Sequence, residues 1–239
     1  MSSGRDIITA AQVTSDKVND PSLDDVTFWV PSLNEAIENL WQVITGANRD
    51  FFTTYADTGV TGGLDAVTTA APFIDLSALL DDSGGWMMRK LRLIEKNPND
   101  PRPQKIPRRT LATKNQQRWP VAYVPVGQLL NLDPPSLAAG SYRVWYVAGP
   151  GTLLAEDDIP AELVPYREYL ETYLTIKALG AAEQDARAFT SMLAVLKQGV
   201  IDTVVDQNAA DADHVQDTLA DEENQTPSAL LGWPWPPIG

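Results

Sequence analysis

A single histidine, His214, stands in the chain, inside the acidic stretch "DADHVQDTLADEENQTP", and there is no cysteine at all. A Ser-His-Asp or Cys-His site needs its base held rigidly against the nucleophile. His214 falls where helical periodicity has decayed, so it reads as a solvated polar residue. Absence of cysteine excludes disulfides, thiolate nucleophiles and Cys-ligated metals together. The cluster "EDD" at 156–158 lacks the oxygen-rich loop that a calcium site requires and reads as favourable charge at a helix N-terminus. The glycines of "DTGVTGGLD" (57–65) are not followed by the Gly-Lys-Ser/Thr of a phosphate loop, which leaves them as turn residues. Among 32 acids, a glycosidase-type pair would be a spatial and not a sequential feature, and no spacing supports one. The expectation is a protein that is not an enzyme, with no catalytic residue, no metal site and no cofactor.

The chemistry on offer is binding. Between Arg89 and Arg118 lie ten basic residues against two acidic ones, a local charge of +8 in a chain of net −14, so the remainder carries −22. The prolines and cations of "KNPNDPRPQKIPRRTLATKNQQRW" predict a long functional loop over residues 95–118. Its Arg102, Lys105, Arg108, Arg109, Lys114 and Arg118 could line a DNA channel or seat an acidic partner. Interleaved aromatics of a base-stacking surface are missing, so sequence-specific recognition is not expected. The second feature is "SALLGWPWPPIG", residues 228–239, uncharged and apolar after eight acids between Asp202 and Glu223. Leu230, Leu231, Trp233, Pro234, Trp235, Pro236 and Ile238 would expose surface that marks a contact site, on a portal, a neighbouring subunit or the protein's own core. Burying both tryptophans would remove about 400 Å² from water, a gross gain near 10 kcal/mol that ordering a dozen residues largely offsets. One such arm binds weakly; a ring of them gains by multivalency.

The elements that must carry these segments follow from periodicity. Residues 1–50 read as helical: Asp6 can cap a short helix, and a stronger one starts at Pro31, with Leu33, Ile37, Leu40 and Ile44 on one face and Gly46 at its end. Residues 51–150 change to a β texture, with "DFFTTYA", "RKLRLIEK", "WPVAYVPV" and "SYRVWYVAG" as strands; in the last, Tyr142, Val144 and Tyr146 alternate with a wetter face carrying Arg143 and Trp145. Residues 151–210 return to helix. Glu156, Asp157, Asp158 and Glu162 stand at its start, Leu163, Tyr166, Leu170, Tyr173 and Leu174 follow to Gly180, and Phe189, Leu193, Leu196, Val200 and Val204 mark a second helix. Residues 211–239 read as an extended arm, acidic and then Trp/Pro-rich. The fold class is therefore α+β: a helical bundle from the two ends of the chain, a central β-rich insertion, and an extended arm. A 44% hydrophobic content suffices for a core at this length. No basic-then-apolar leader and no run of about 18 uncharged apolar residues is seen, so the expectation is cytoplasmic synthesis and no membrane.

The order of segments resembles the head-to-tail adaptor (connector) proteins of short-tailed bacteriophages. Carrying it are Trp29 followed by Asn34, Glu35 and Ala36 at an early helix, then Tyr146 in a late strand, Pro150 in a turn, the acidic "DDIP" of Asp157 to Pro160, and Tyr166, Tyr169 and Tyr173 in the next helix. It covers residues 6–206, and its motifs are packing signatures. The resemblance implies a structural virion protein at the head-tail interface that binds below the portal ring, forms a twelve-membered ring of its own copies, and offers a platform to tail nozzle or tubular proteins. Genomic double-stranded DNA would pass through the ring non-specifically. Segregated charge agrees with side-by-side contacts in which one subunit's basic loop meets its neighbour's acidic flank. Two other classes stay open: a DNA-binding packaging factor of small-terminase type using residues 89–118, and a glycan hydrolase acting through paired acids.

Overall fold

Helix α1 (Gly4–Thr14) opens at a capping box, in which the Ser3 hydroxyl accepts from the Asp6 N–H while Asp6 accepts from the Ser3 N–H at 3.0 Å. Asp6, expected at the cap itself, thus sits three residues inside the helix, because Ser3 supplies the cap. The structure is a computed structural model that describes residues 3–18, 20–61, 63–80, 86–109 and 121–223. A π-helical turn, Asp25–Trp29, leads into α2 (Val30–Ala47), with Pro31 in the first turn as expected. Asp24 caps that turn through the N–H groups of Val26 and Thr27. Leu33, Ile37, Leu40 and Ile44 are all buried, as their spacing predicts.

Among the described residues the β region contains seven strands: β1 (Thr53–Asp57), β2 (Phe73–Asp75), β3 (Trp86–Lys96), β4 (Gln104–Lys105), β5 (Ala122–Val126), β6 (Leu129–Asp133) and β7 (Tyr142–Pro150). They form two antiparallel sheets, ordered β1-β7-β3-β4 and β2-β6-β5. Residues 104–109 join them: Lys105 pairs with Glu95 of β3, and four residues later the Arg109 N–H donates to Tyr123 O of β5. The loop 57–64 closes on itself, with Leu64 N–H on Asp57 O and Gly59 at φ +74°. At Gly63 a Cβ would stand 2.3 Å from Asp57 O, so "DTGVTGGLD" is a turn built on glycine.

Helices α3 (Arg167–Ala181) and α4 (Arg187–Glu223) form the expected hairpin and pack on α2. The acids of "EDD" do not start α3, which begins only after Pro160 and Pro165 and a 3₁₀ turn at Val164–Tyr166. They fasten the start of α1 instead: Gly4 N–H donates to Asp157 O, Ser3 bridges Asp158, and Glu156 pairs with Arg5 at 2.9 Å. Helix α4 continues to Glu223, through the start of the stretch expected to be extended from residue 211. Ala, Gln and Glu there favour helix, and no Gly or Pro interrupts the stretch before Pro227. The α+β class holds, with the β region inserted between the two helical ends of the chain.

Two cores result. Ile7, Trp29, Leu33, Leu40, Leu174 and Val204 belong to the helical one; Ile74, Ile94, Val121, Leu132, Tyr142 and Val144 belong to the one enclosed by the sheets. Strand β7 serves both. Tyr142 and Val144 point into the β core and Val147, on the opposite face of the strand, into the helical core; the paired strand β3 has register shifts between Met88 and Lys90 and between Leu91 and Leu93.

Candidate interaction surfaces

Helix α2 is the hub on which the other parts are seated. Its buried stripe leaves Asn34, Glu35, Glu38, Asn39 and Trp41 on the flanks, where they reach α3, β3, β7 and the chain beyond it. Asn34 is hydrogen-bonded on both sides to Leu153, beyond the end of β7. Tyr169 donates to Asn39 at 2.6 Å, and Tyr173 and Lys177 both donate to Glu35, at 2.8 and 2.7 Å. Arg89 of β3 pairs with Glu38 at 3.0 Å and also donates to Pro150 O, while the Trp41 indole donates to Ala148 O at 2.9 Å. The Lys177 contact, and then that of Tyr173, holds the Glu35 carboxyl below its ordinary range; burial and the Glu35 hydrogen bond raise Tyr173. Asn34, Glu35, Asn39, Tyr169 and Tyr173 thus join α2 to α3 and to the chain beyond β7.

The basic segment divides into engaged and outward cations. Arg89 is tied to Glu38, Arg92 to Asp50 and Arg49 O, Lys96 to Leu137 O, and Arg109 to Asp133 at 3.4 Å. Lys90, Arg102, Lys105 and Arg108 are exposed and make no ion pair among the described residues. Arg102, Lys105 and Arg108 lie three residues apart along the segment that passes from one sheet to the other. Arg108 and Arg109, expected to act together on phosphate, therefore diverge: the first is exposed, and the second is drawn to a carboxylate only 1% exposed. Lys114 and Arg118 lie outside the described residues.

A surface the basic residues did not announce lies on the outer face of the first sheet. Arg143 makes a bidentate contact to Asp57 at 2.7 and 2.8 Å and stacks 4.0 Å from the centre of the Tyr55 ring, whose other neighbour is Trp145 at 5.0 Å. Trp145 in turn donates to Glu95 at 2.8 Å. The alternation in "YRVWY" did signal a wetter face there, but not the charge pairing that covers it.

Helix α4 carries exposed apolar side chains beside its buried ones. Val200 and Val204 are buried and Leu193 and Leu196 half-buried against the bundle, while Val195 is 73% exposed, Val205 47% and Met192 39%. Grooves run along both sides of this helix. One of about 380 Å³ lies against α2 at Val43, Gly46 and Ala47; the other, about 660 Å³, lies against the start of α3 and is walled by Phe51, Pro165, Tyr166 and Tyr169. The core series Phe189, Leu193, Leu196, Val200, Val204 was legible, whereas Val195 and Gly199 belong to the groove and fell outside that pattern. The stretch Arg187–Gln207 is also long and apolar enough by composition to cross a bilayer, with a mean hydropathy of 1.3, although Lys197 and Asp202 interrupt it. Val200 and Val204 pack it on the bundle, and only 11% of the apolar window is buried.

Leu230, Leu231, Trp233, Pro234, Trp235, Pro236 and Ile238 lie outside the described residues, and His214 is placed only as part of the α4 backbone. Among the described residues no group of three or more His, Asp or Glu side chains could hold a metal ion. The sequence matches no protein-family model and no curated protein.

Proposed function

We propose that the chain is a structural adaptor at the head-tail junction of a short-tailed bacteriophage. It would form a ring of copies below the portal, surround the DNA channel and present a docking platform to the tail. The observation that carries this reading is α4: thirty-seven residues of helix, about 55 Å long, held to the bundle by one line of apolar residues, with Met192, Val195 and Val205 left exposed on its other faces. A helix so placed suits assembly against other chains. The outward Arg102, Lys105 and Arg108 and the absence of any basic residue after Lys197 supply complementary charge for side-by-side contact. Of the motif residues, Glu35 and Tyr173 meet across the α2–α3 seam, where Tyr169 meets Asn39, and Asn34 holds Leu153 beyond β7, which supports reading the resemblance as one of packing.

Mixing the purified chain with a portal ring tests the reading, followed by sedimentation and negative-stain imaging. Co-sedimentation with an added ring of density below the portal is expected, and persistent absence of a complex would sink the adaptor assignment. The same three outward cations favour a second reading as a DNA-binding packaging factor. That reading requires salt-dependent retention on duplex DNA, lost in an Arg102→Glu, Lys105→Glu, Arg108→Glu variant.

A further inference from the structure

We propose that the outward cations Arg102, Lys105 and Arg108 seat against an acidic stripe on α4 of a second copy of this chain. The contact rests on the ring reading, in which it joins neighbours.

Asp202 and Asp206 stand one helical turn apart and are both exposed. At 3.6 residues per turn they lie on the side of α4 opposite Val200 and Val204, which are buried in the bundle. Gln198 donates to Asp202 at 2.8 Å, and neither acid has an ion pair among the described residues. Asp213 and Asp217 continue the same line in the sequence, at spacings of seven and four, and no Lys or Arg follows Lys197 to offset them. The lengths of the two charged rows agree. From Arg102 to Arg108 six extended residues span about 20 Å at roughly 3.3 Å each. From Asp202 to Asp217 fifteen helical residues span about 22 Å at roughly 1.5 Å each. An acidic helix laid along the extended basic row therefore meets opposite charge over its whole length.

Orientation selects the second copy. Helix α4 packs on α2 and α3, and α2 packs on β7, so α2 lies between α4 and the first sheet. The stripe faces away from that packing, and so away from the β region of its own chain. The cations stand apart from it too: Lys105 pairs with Glu95, about 20 Å along β3 from Arg89, where that strand meets Glu38 of α2. A neighbour beside the stripe brings residues 102–108 to it and leaves its own stripe for the next copy. Such a contact is heterologous, head to tail, and closes a ring when the rotation between copies allows. Exposed ion pairs are individually weak, so the contact holds by repetition around the ring.

The test treats a mixture of isotope-labelled and unlabelled full-length chain, at about 1 mM, with a zero-length carbodiimide, which joins an amine to a carboxylate only where they touch. The expected product is a link from Lys105 to Asp202, Asp206, Asp213 or Asp217 whose two peptides carry different labels. Arg102→Glu, Lys105→Glu, Arg108→Glu in one chain, and Asp202→Lys, Asp206→Lys in another, should each weaken association about tenfold in sedimentation velocity. Mixed, the two variants present opposite charges to each other again and should recover association to within about threefold of the wild type. Circular dichroism is the folding control, and the wild-type link stands without any variant. Links confined to one chain, no link between chains, or association indifferent to both variants would each overturn the proposal. Retention on duplex DNA without a link between chains would give the cations to DNA instead. A portal complex formed without the link would sink this inference alone; the link without a portal complex would sink the adaptor reading alone.

Discussion

Asn34 clasps the backbone of Leu153 from both sides: its Oδ1 accepts from the Leu153 N–H at 2.8 Å and its Nδ2 donates to the Leu153 carbonyl at 2.9 Å. The amide thus does for the chain leaving β7 what a strand partner would do. A leucine at position 34 would strand both groups in a part-buried seam, at a cost of about 2–3 kcal/mol. Urea unfolding should show this as a lower midpoint with an unchanged slope. Asn34→Asp should lose nearly as much, because a carboxylate cannot donate to the carbonyls of Leu153 and Val30.

Tyr142 is buried and its hydroxyl donates to Ala138 O, four residues upstream, at 2.5 Å. Tyr142→Phe keeps the ring in the β core and leaves that carbonyl without its partner, for a loss of about 1–2 kcal/mol. Thermal unfolding of the two chains side by side checks it.

Glu35 gives a pH signature whose sign is fixed. Its folded-state pKa is lowered by Lys177 and Tyr173, so its stabilisation is present above its ordinary value of 4.5 and is lost as pH falls through the lowered folded value. The side chain is 52% exposed, so the effect is small, a few tenths of a kcal/mol. Between pH 5 and 3 the wild type should lose more stability than Glu35→Gln; parallel acid titrations would contradict this.

Arg108 and Arg109 should separate cleanly. Arg109→Ala removes a charged partner of the buried Asp133 and should destabilise by about 1.5–3 kcal/mol. Arg108→Ala, at an exposed position without an ion pair among the described residues, should stay within about 0.5 kcal/mol. Equal effects on urea midpoints would refute the division.

Much of the helical part was legible because one physical signal dominates there. Leu33, Ile37, Leu40 and Ile44 bury one face of α2, and no competing requirement acts on those positions. The turn before it escaped notice, since its capping by Asp24 and the burial of Trp29 depend on where α1 packs. Strands β2 and β6 gave no alternation to read: β2 is three residues long, and in "LLNLD" the buried Asp133 answers to Arg109, not to a period of two. The acids 156–158 were misread for the same reason, because their partners, Gly4 and Arg5, lie about 150 residues away. Of the candidate binding residues, composition located the basic segment but could not say that Asp133 would draw Arg109 aside. Groove residues such as Val195 emerge only once α3 and α4 are laid together.

A strand that serves two cores leaves no hinge between them. With Tyr142 and Val144 anchored among the sheets and Val147 among the helices, β7 makes the two parts one mechanical body. Amide hydrogens along β7 should accordingly exchange only when the whole molecule opens, as the slowest set in the chain.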